Sequence, residues 1–315
     1  MFMKISVCLT VYNKEASTAS LLESLLAQTK KPDEIVIVAG GSSDKTVEII
    51  RHFQKKDGRI RLLVQKCSIA QGRNLAVELA KNDIIAMTDA GCIAHKDWLE
   101  EISGPFEHPE VDVSAGFYKM VGDTPFQKAA SVFLGVLPSK FDINFLPSTR
   151  SIAFRKDIWE LVGGFPESSV KTAEDTGFNF RLIKVGARIA RVKSALVEWG
   201  MPGTIREFGK KIYEYARGDA KSKIWWFSKK GLSSHNIKAL SIFARYILGI
   251  GLILFFFRTP LFPIIWLALA IYFFWAFRKV YVEFKDWKTG TWGIILQFVS
   301  DFAVMAGFIK GIFGR

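Results

Sequence analysis

Four side chains stand out as able to do chemistry: Asp89 in TDAGC at 88–92, the neighbouring acids Glu174 and Asp175 in AED at 173–175, and Arg73 in GRNLA at 72–76. A carboxylate can hold a hard cation through oxygen, or accept the proton of a hydroxyl that is becoming a nucleophile. An arginine fork grips phosphate or carbonyl oxygens. Each also has a plainer reading. A lone aspartate after a strand is often a turn residue, and a helix arginine is often merely exposed. Thr172-Ala173-Glu174-Asp175 has the spacing of a capping box, with Asp175 at the third helical position. Cys8, Cys67 and Cys92 are odd in number and show neither CxxC nor metal-ligand spacing, which indicates a reduced, cytosolic compartment. His52, His95, His108 and His235 lack the spacing of a zinc site and read as surface or loop residues, His95 set apart only because it follows TDAGC.

The elements that must position these groups follow from the apolar pattern. Strands are expected at Ile5 to Val11, Glu34 to Ala39, Ile60 to Val64 and Asp83 to Thr88, with helices between them at about Thr18 to Gln28, Lys45 to Phe53 and Ile69 to Ala80. Continuous apolar strands joined by helices imply a parallel sheet covered on both faces, with ligands at the carboxyl ends of the strands. The chemistry is therefore expected just after Val11, Ala39 and Thr88. Further on, 121 to 145 reads as a loop or short helices, Ser151 to Arg155 as a strand, Asp157 to Val162 as a helix closed by Gly163-Gly164, and Thr172 to about Val185 as a helix closed by Gly186.

In their order and spacing, TVYNKE at 10–15, VAGGSSDKT at 38–46, GRNLA, TDAGC, SIAFRKDIWELVGGFPE at 151–167 and AED make the chain resemble the family-2 inverting glycosyltransferases of the GT-A fold. The resemblance implies an α/β, Rossmann-like GT-A domain with a mostly parallel sheet that binds a nucleotide-sugar. It implies donor binding by Thr10, Tyr12, Asn13, Glu15, Gly40, Arg73 and Asp89, with Arg73 on the leaving diphosphate. Asp175 is implied as general base, Glu174 as the residue that holds the acceptor or the loop, and Arg217 and Arg150 as acceptor-binding residues. Two departures stand out. Ala39 and Gly40 occupy positions where the family pattern has aspartates that contact base or ribose, and Gly91 replaces the second acid of an Asp-x-Asp. Mg²⁺ or Mn²⁺ at Asp89 is consequently expected to be held loosely.

Half of the 315 residues are hydrophobic, and the surplus lies after Lys238. Ala239 to Phe257, Pro260 to Phe277 and Trp292 to Phe313 are each near the ~20 residues that cross a bilayer. Nearly all of the net charge of +13 collects after Gly200, so it marks a membrane boundary and not a nucleic-acid surface. The expected organisation is a cytoplasmic catalytic domain at 1–200, a basic interfacial connector at 201–238, and an all-α transmembrane anchor at 239–315. The chain is expected in the cell membrane, multi-pass, with Arg278 to Gly290 as a cytoplasmic loop. Arg245 and Asp301 lie at similar depth and are expected to pair. Expected partners are a nucleotide-sugar donor, a lipid-linked or glycan acceptor and membrane lipids. A polyprenyl-phosphate glycosyl synthase and an inactive scaffold are the alternatives. The missing acids favour the scaffold; Asp89, Arg73 and Asp175 oppose it.

Overall fold

Apolar runs at Ile5–Val11, Glu34–Ala39, Ile60–Val64 and Ile84–Met87 form strands β1 to β4, and the intervening segments form helices α1 (Glu15–Leu26), α2 (Thr46–Lys56) and α3 (Ile69–Leu79). These come from a computed structural model, which describes residues 3–167, 173–223, 225, 235–260 and 262–314. The chain divides into two compact units, one made of Met1–Met120 with Pro138–Gly200, the other of Val121–Leu137 with Met201–Arg315. Within the expected domain at 1–200, residues 121–137 group with the C-terminal residues.

In the first unit, β1 pairs in parallel with β2 and β4, and β2 with β3. All six residues of β2 are buried, as a strand covered on both faces requires. Four strands complete the sheet: β5 (Cys92–Ala94), β6 (Val113–Val121), β7 (Ile152–Arg155) and β8 (Ile189–Gly200), in the order β3-β2-β1-β4-β7-β6-β8-β5. Beyond β4 the pairing turns antiparallel, β4 with β7, β7 with β6, and β5 with β8. Helix α4 (Trp98–Ser103) follows β5, α6 (Lys156–Leu161) follows β7, and α7 (Glu174–Lys184) precedes β8.

Two local devices set the approach of elements to the site. Ser68 caps α3, accepting from Gln71 N at 3.2 Å while Gln71 Oε1 accepts from Ser68 N at 3.0 Å. A Cβ at Gly72 would overlap Thr10 Oγ1, so glycine is what lets α3 close onto the end of β1. The expected cap of α7 differs. Thr172 lies outside the described residues, and the residue before α7 is Ala173, left-handed at φ 74° and making no side-chain cap. Glu174 is therefore the first helical residue and Asp175 the second, not the third.

The second unit contains α5 (Pro125–Leu134), α8 (Ile205–Lys221), α9 (His235–Phe256), α10 (Pro263–Phe284) and α11 (Trp287–Phe313). The last three are long and apolar enough to cross a membrane. Helix α10 continues through Arg278 and Lys279 to Phe284, so the expected loop at 278–290 is corrected to a two-residue link, Lys285-Asp286. Lys279 is tolerated in the helix because its Nζ sits 3.7 Å from the Phe133 ring centroid and donates to Gln297 Oε1 at 3.3 Å. Lys285 at φ 53° ends α10, and Asp286 starts α11 by accepting from Thr289 N at 2.9 Å.

Part of the expected connector is α8, whose Phe208 and Ile212 are buried. It rests on α11 at Gly307 and Gly311, where any Cβ would run into the backbone of Tyr213 and Arg217. Small residues four apart allow this close helix contact. The apolar face of α8 is thus spent on protein. Arg245 and Asp301 do pair, Nη2 to Oδ2 at 2.6 Å. Asp301 also accepts from Tyr272 Oη at 2.6 Å, Tyr246 Oη at 3.1 Å and Gln297 Nε2 at 2.9 Å. One carboxylate, 1% exposed, thereby ties α9 and α10 to α11.

A charge swap between Arg245 and Asp301 is accordingly not expected to restore the helices, since an arginine at 301 cannot accept the hydrogen bonds that Tyr246, Tyr272 and Gln297 donate to Asp301. Asp301→Ala should lower the unfolding temperature in detergent far more than Arg245→Ala, with Tyr272→Phe costing about 1 kcal/mol. Equal losses for Asp301→Ala and Arg245→Ala would contradict the hub.

Candidate active site

The site forms where β1, β2 and β4 end. After β1 the chain turns through Asn13, left-handed at φ 49°, into α1. Asn13 Oδ1 accepts from Ser43 N at 2.9 Å, and its own N–H donates to Ser42 Oγ at 3.0 Å. Glu15 Oε2 accepts from Lys45 N at 3.0 Å, and Glu15 N donates to Asp44 Oδ2 at 3.1 Å. Asn13 and Glu15, expected on the donor, bind the first motif to the second. Thr10 Oγ1 donates to Val38 O at 3.1 Å, stapling β1 to β2, and Gly40 N donates to Val11 O at 2.9 Å. Tyr12 differs from these in being 55% exposed.

Arg73 is the centre of the constellation. It is 5% exposed, its Nη2 donates to Asp89 Oδ1 at 2.7 Å, and its Nη1 donates to Glu174 Oε1. Its guanidinium carbon lies 5.7 Å from the Phe165 ring centroid. Arg73, expected on the leaving diphosphate, has a carboxylate at each end of its fork, because the turn after β4 and the start of α7 meet there. Burial works against its charge, but Asp89, Glu174 and Asp175 outweigh that and raise its pKa. The next residue, Asn74, reaches the other way. Its Nδ2 donates to Phe165 O and Glu167 Oε1, each at 2.9 Å, and its Oδ1 accepts from Phe165 N at 2.8 Å, which anchors the GGFPE turn.

Asp89 also accepts from Thr149 Oγ1 at 3.3 Å. Burial would raise its pKa, but the charges of Arg73 and then Arg150 hold it below its ordinary value. Arg150 lies over Trp199, its guanidinium carbon 3.8 Å from the ring centroid, with the Tyr118 ring at 5.4 Å. Glu174 goes the other way. It is 7% exposed, burial raises its pKa against the pull of Arg73, and its Oε2 has no hydrogen-bond partner among the described residues. Asp175, beside it and half-buried, accepts from Thr176 N at 2.8 Å. Arg217 belongs to the second unit, with its Nη1 3.6 Å from Glu214 Oε2. No motif points to Thr149, which precedes the β7 strand, or to the Trp199 platform, which lies in the less regular part of the apolar pattern.

Gly91 sits at φ 103° in the turn where Cys92 N donates to Asp89 O at 3.1 Å. A side chain there would strain the backbone. Among the described residues no group of three or more His, Cys, Asp or Glu is placed to hold a metal ion.

A sheet that is parallel through its first four strands, with an Asp after β4 and an acidic pair opening a later helix, defines a nucleotide-sugar-dependent glycosyltransferase of the GT-A fold. The chain belongs to glycosyl transferase family 2, whose family model matches residues 6–161. It is 24% identical over 258 residues to the glycosyltransferase EpsJ of Bacillus subtilis, covering 77% of this chain and 75% of EpsJ. With the O-antigen chain rhamnosyltransferase RfbN of Salmonella typhimurium it shares 27% over 218 residues, 65% of this chain and 69% of RfbN. The fold matches that of the mannosyltransferase PcManGT from Pyrobaculum calidifontis, solved with GDP-Man and Mn²⁺. There the TM-score is 0.71 at 16% identity, over 100% of this chain and 89% of that one.

Replacing Arg73 by Met should abolish transfer and destabilise the catalytic unit by roughly 3–5 kcal/mol, because two buried carboxylates lose their shared partner. Arg73→Lys, a point charge unable to span both, should recover little. Wild-type thermal stability in Arg73→Met would show that the fork does not hold the site.

Proposed function

We propose that this glycosyltransferase is inverting, and that it moves a sugar from a nucleoside diphosphate donor to a lipid-linked or glycan acceptor at a membrane. The observation that carries this reading is the pairing of Asp175 with a neighbour already committed elsewhere. Glu174 is fixed by Arg73, which leaves Asp175 as the half-buried acid at the same helix start. In the proposed step the acceptor hydroxyl oxygen bonds to the anomeric carbon from the face opposite the diphosphate. The bond from that carbon to the phosphate oxygen breaks with its electron pair leaving on the diphosphate, and the hydroxyl proton passes to Asp175. Tyr12 supplies an exposed ring for the base, and Arg150, held on Trp199, a cation near Asp89.

The membrane acceptor is supported by the three apolar helices and by a relative named for O-antigen chain synthesis. By the positive-inside rule, the basic residues before α9 and around the Lys285-Asp286 link belong on the cytoplasmic side, and Arg258 opposite. The catalytic unit is then cytoplasmic.

Asp175→Asn should cut the transfer rate by about 10² to 10⁴ while leaving nucleotide affinity nearly unchanged, since the amide keeps the contact to Thr176 N but accepts no proton. This is measured on the purified full chain in detergent, with a panel of nucleotide-sugars and polyprenyl-linked acceptors. A variant that keeps more than roughly a tenth of the rate would remove Asp175 from the role of base.

A further inference from the structure

The first atom that a side chain at Gly91 would meet is the ammonium of Lys14: a Cβ built there lies 4.0 Å from Lys14 Nζ, and nothing else comes within 4 Å. A second carboxylate at this position would complete a cation site with Asp89. Here the backbone has φ 103°, which disfavours any side chain, and a positive charge stands in front of it. The one acid of the turn is also engaged, Asp89 Oδ1 with Arg73 and Oδ2 with Thr149. The donor set at this turn therefore does not fit a divalent cation: it offers a single, already bonded carboxylate and a lysine that repels a metal ion.

Lys14 is held as a functional side chain would be. Its N–H donates to Thr46 Oγ1 at 2.8 Å, and its carbonyl accepts from Ser17 N at 3.1 Å, Thr18 N at 3.0 Å and Thr18 Oγ1 at 2.6 Å. The backbone is fixed from both sides while the side chain is exposed. Among the described residues its ammonium has no hydrogen-bond or ion-pair partner, although Glu15 and Asp44 are close in the chain fold; both of those acids are spent on backbone N–H groups. A lysine with a fixed stem and an uncommitted charge at the end of β1, facing the turn after β4, is placed to meet an anion.

We propose that the Lys14 ammonium binds the diphosphate of the donor and neutralises the charge that develops on it as the sugar leaves, in the position that a metal ion would otherwise occupy. This rests on the glycosyltransferase reading of the site. The bond made and the bond broken are those given above. The electron pair of the broken bond settles on the diphosphate oxygen, and Lys14 stabilises that oxygen by charge and hydrogen bonding without transferring a proton.

The test is calorimetric binding of UDP, GDP, ADP, CDP and dTDP, and of the matching nucleosides, to the purified full chain in detergent with EDTA. The wild type should bind at least one nucleoside diphosphate in EDTA. Lys14→Met should weaken that binding by roughly 10- to 100-fold, as expected for loss of a hydrogen bond to a charged group, and Lys14→Arg should restore most of it. The nucleoside should bind Lys14→Met and wild type alike. Since the side chain is exposed, the unfolding temperature should not move, and Lys14→Gln serves if Lys14→Met does not fold. Unchanged affinity in Lys14→Met, or wild-type binding that is absent in EDTA and restored by Mn²⁺, overturns the role of Lys14 while leaving the glycosyltransferase reading intact. No binding of any nucleoside diphosphate with or without Mn²⁺ overturns both.

Discussion

The catalytic unit depends on one buried guanidinium. Asp89 lies at the end of β4 and Glu174 at the start of α7, far apart in the chain, and Arg73 on α3 joins them through the two ends of its fork. Taking three charges out of water costs several kcal/mol per ion, so the arrangement is stable only because each charge meets an opposite one at hydrogen-bond distance. Removing any one would strand the others. Phe165 covers the guanidinium, and Asn74, one residue on, fixes the backbone that carries Phe165. Two successive helix residues thereby position an acid, a helix start and a turn at once. Glu174 is immobilised by this, and the neighbouring Asp175 shares its defined location at the start of α7.

Much of this was readable from the residues alone. Strands β1, β2 and β3 begin and end where the apolar runs do, and β2 is buried along its whole length. Arg73 and Glu174 meet at Asp89, which directly follows Thr88, one of the three places where the chemistry is expected. What the residues could not show is direction. Asn13, Glu15 and Arg73 have side chains suited to ligands, and each is turned to another loop, since burial and loop-to-loop distances decide which partner a donor reaches. Strands β5, β6 and β8 escaped notice because they are short or partly exposed and lie beyond the parallel region, where the alternation is less regular.

In the helical unit the same contrast appears. The meeting of Arg245 and Asp301 followed from their depth along two helices, at 1.5 Å of rise per residue. The two tyrosines and the glutamine that share Asp301 did not, because a phenol in an apolar span is as common at an interface as in a hydrogen bond. Helix α8 shows the limit of amphipathicity as a signal. Its apolar face fits a lipid surface and a protein helix equally well, and it was Gly307 and Gly311 on a distant helix that decided between them.

The excursion of 121–137 into the C-terminal unit governs the order in which the chain can be assembled. Helix α5 packs its Phe126 edge to face on Trp292 of α11, at 5.2 Å between ring centroids, and Phe133 on Phe208 of α8. It leaves the ribosome well before either partner exists. Its apolar face therefore lacks this cover until α11 has been synthesised. Nor can the polypeptide be cut after Gly200 to yield a free-standing catalytic fragment, because such a fragment would carry α5 with nothing to cover it.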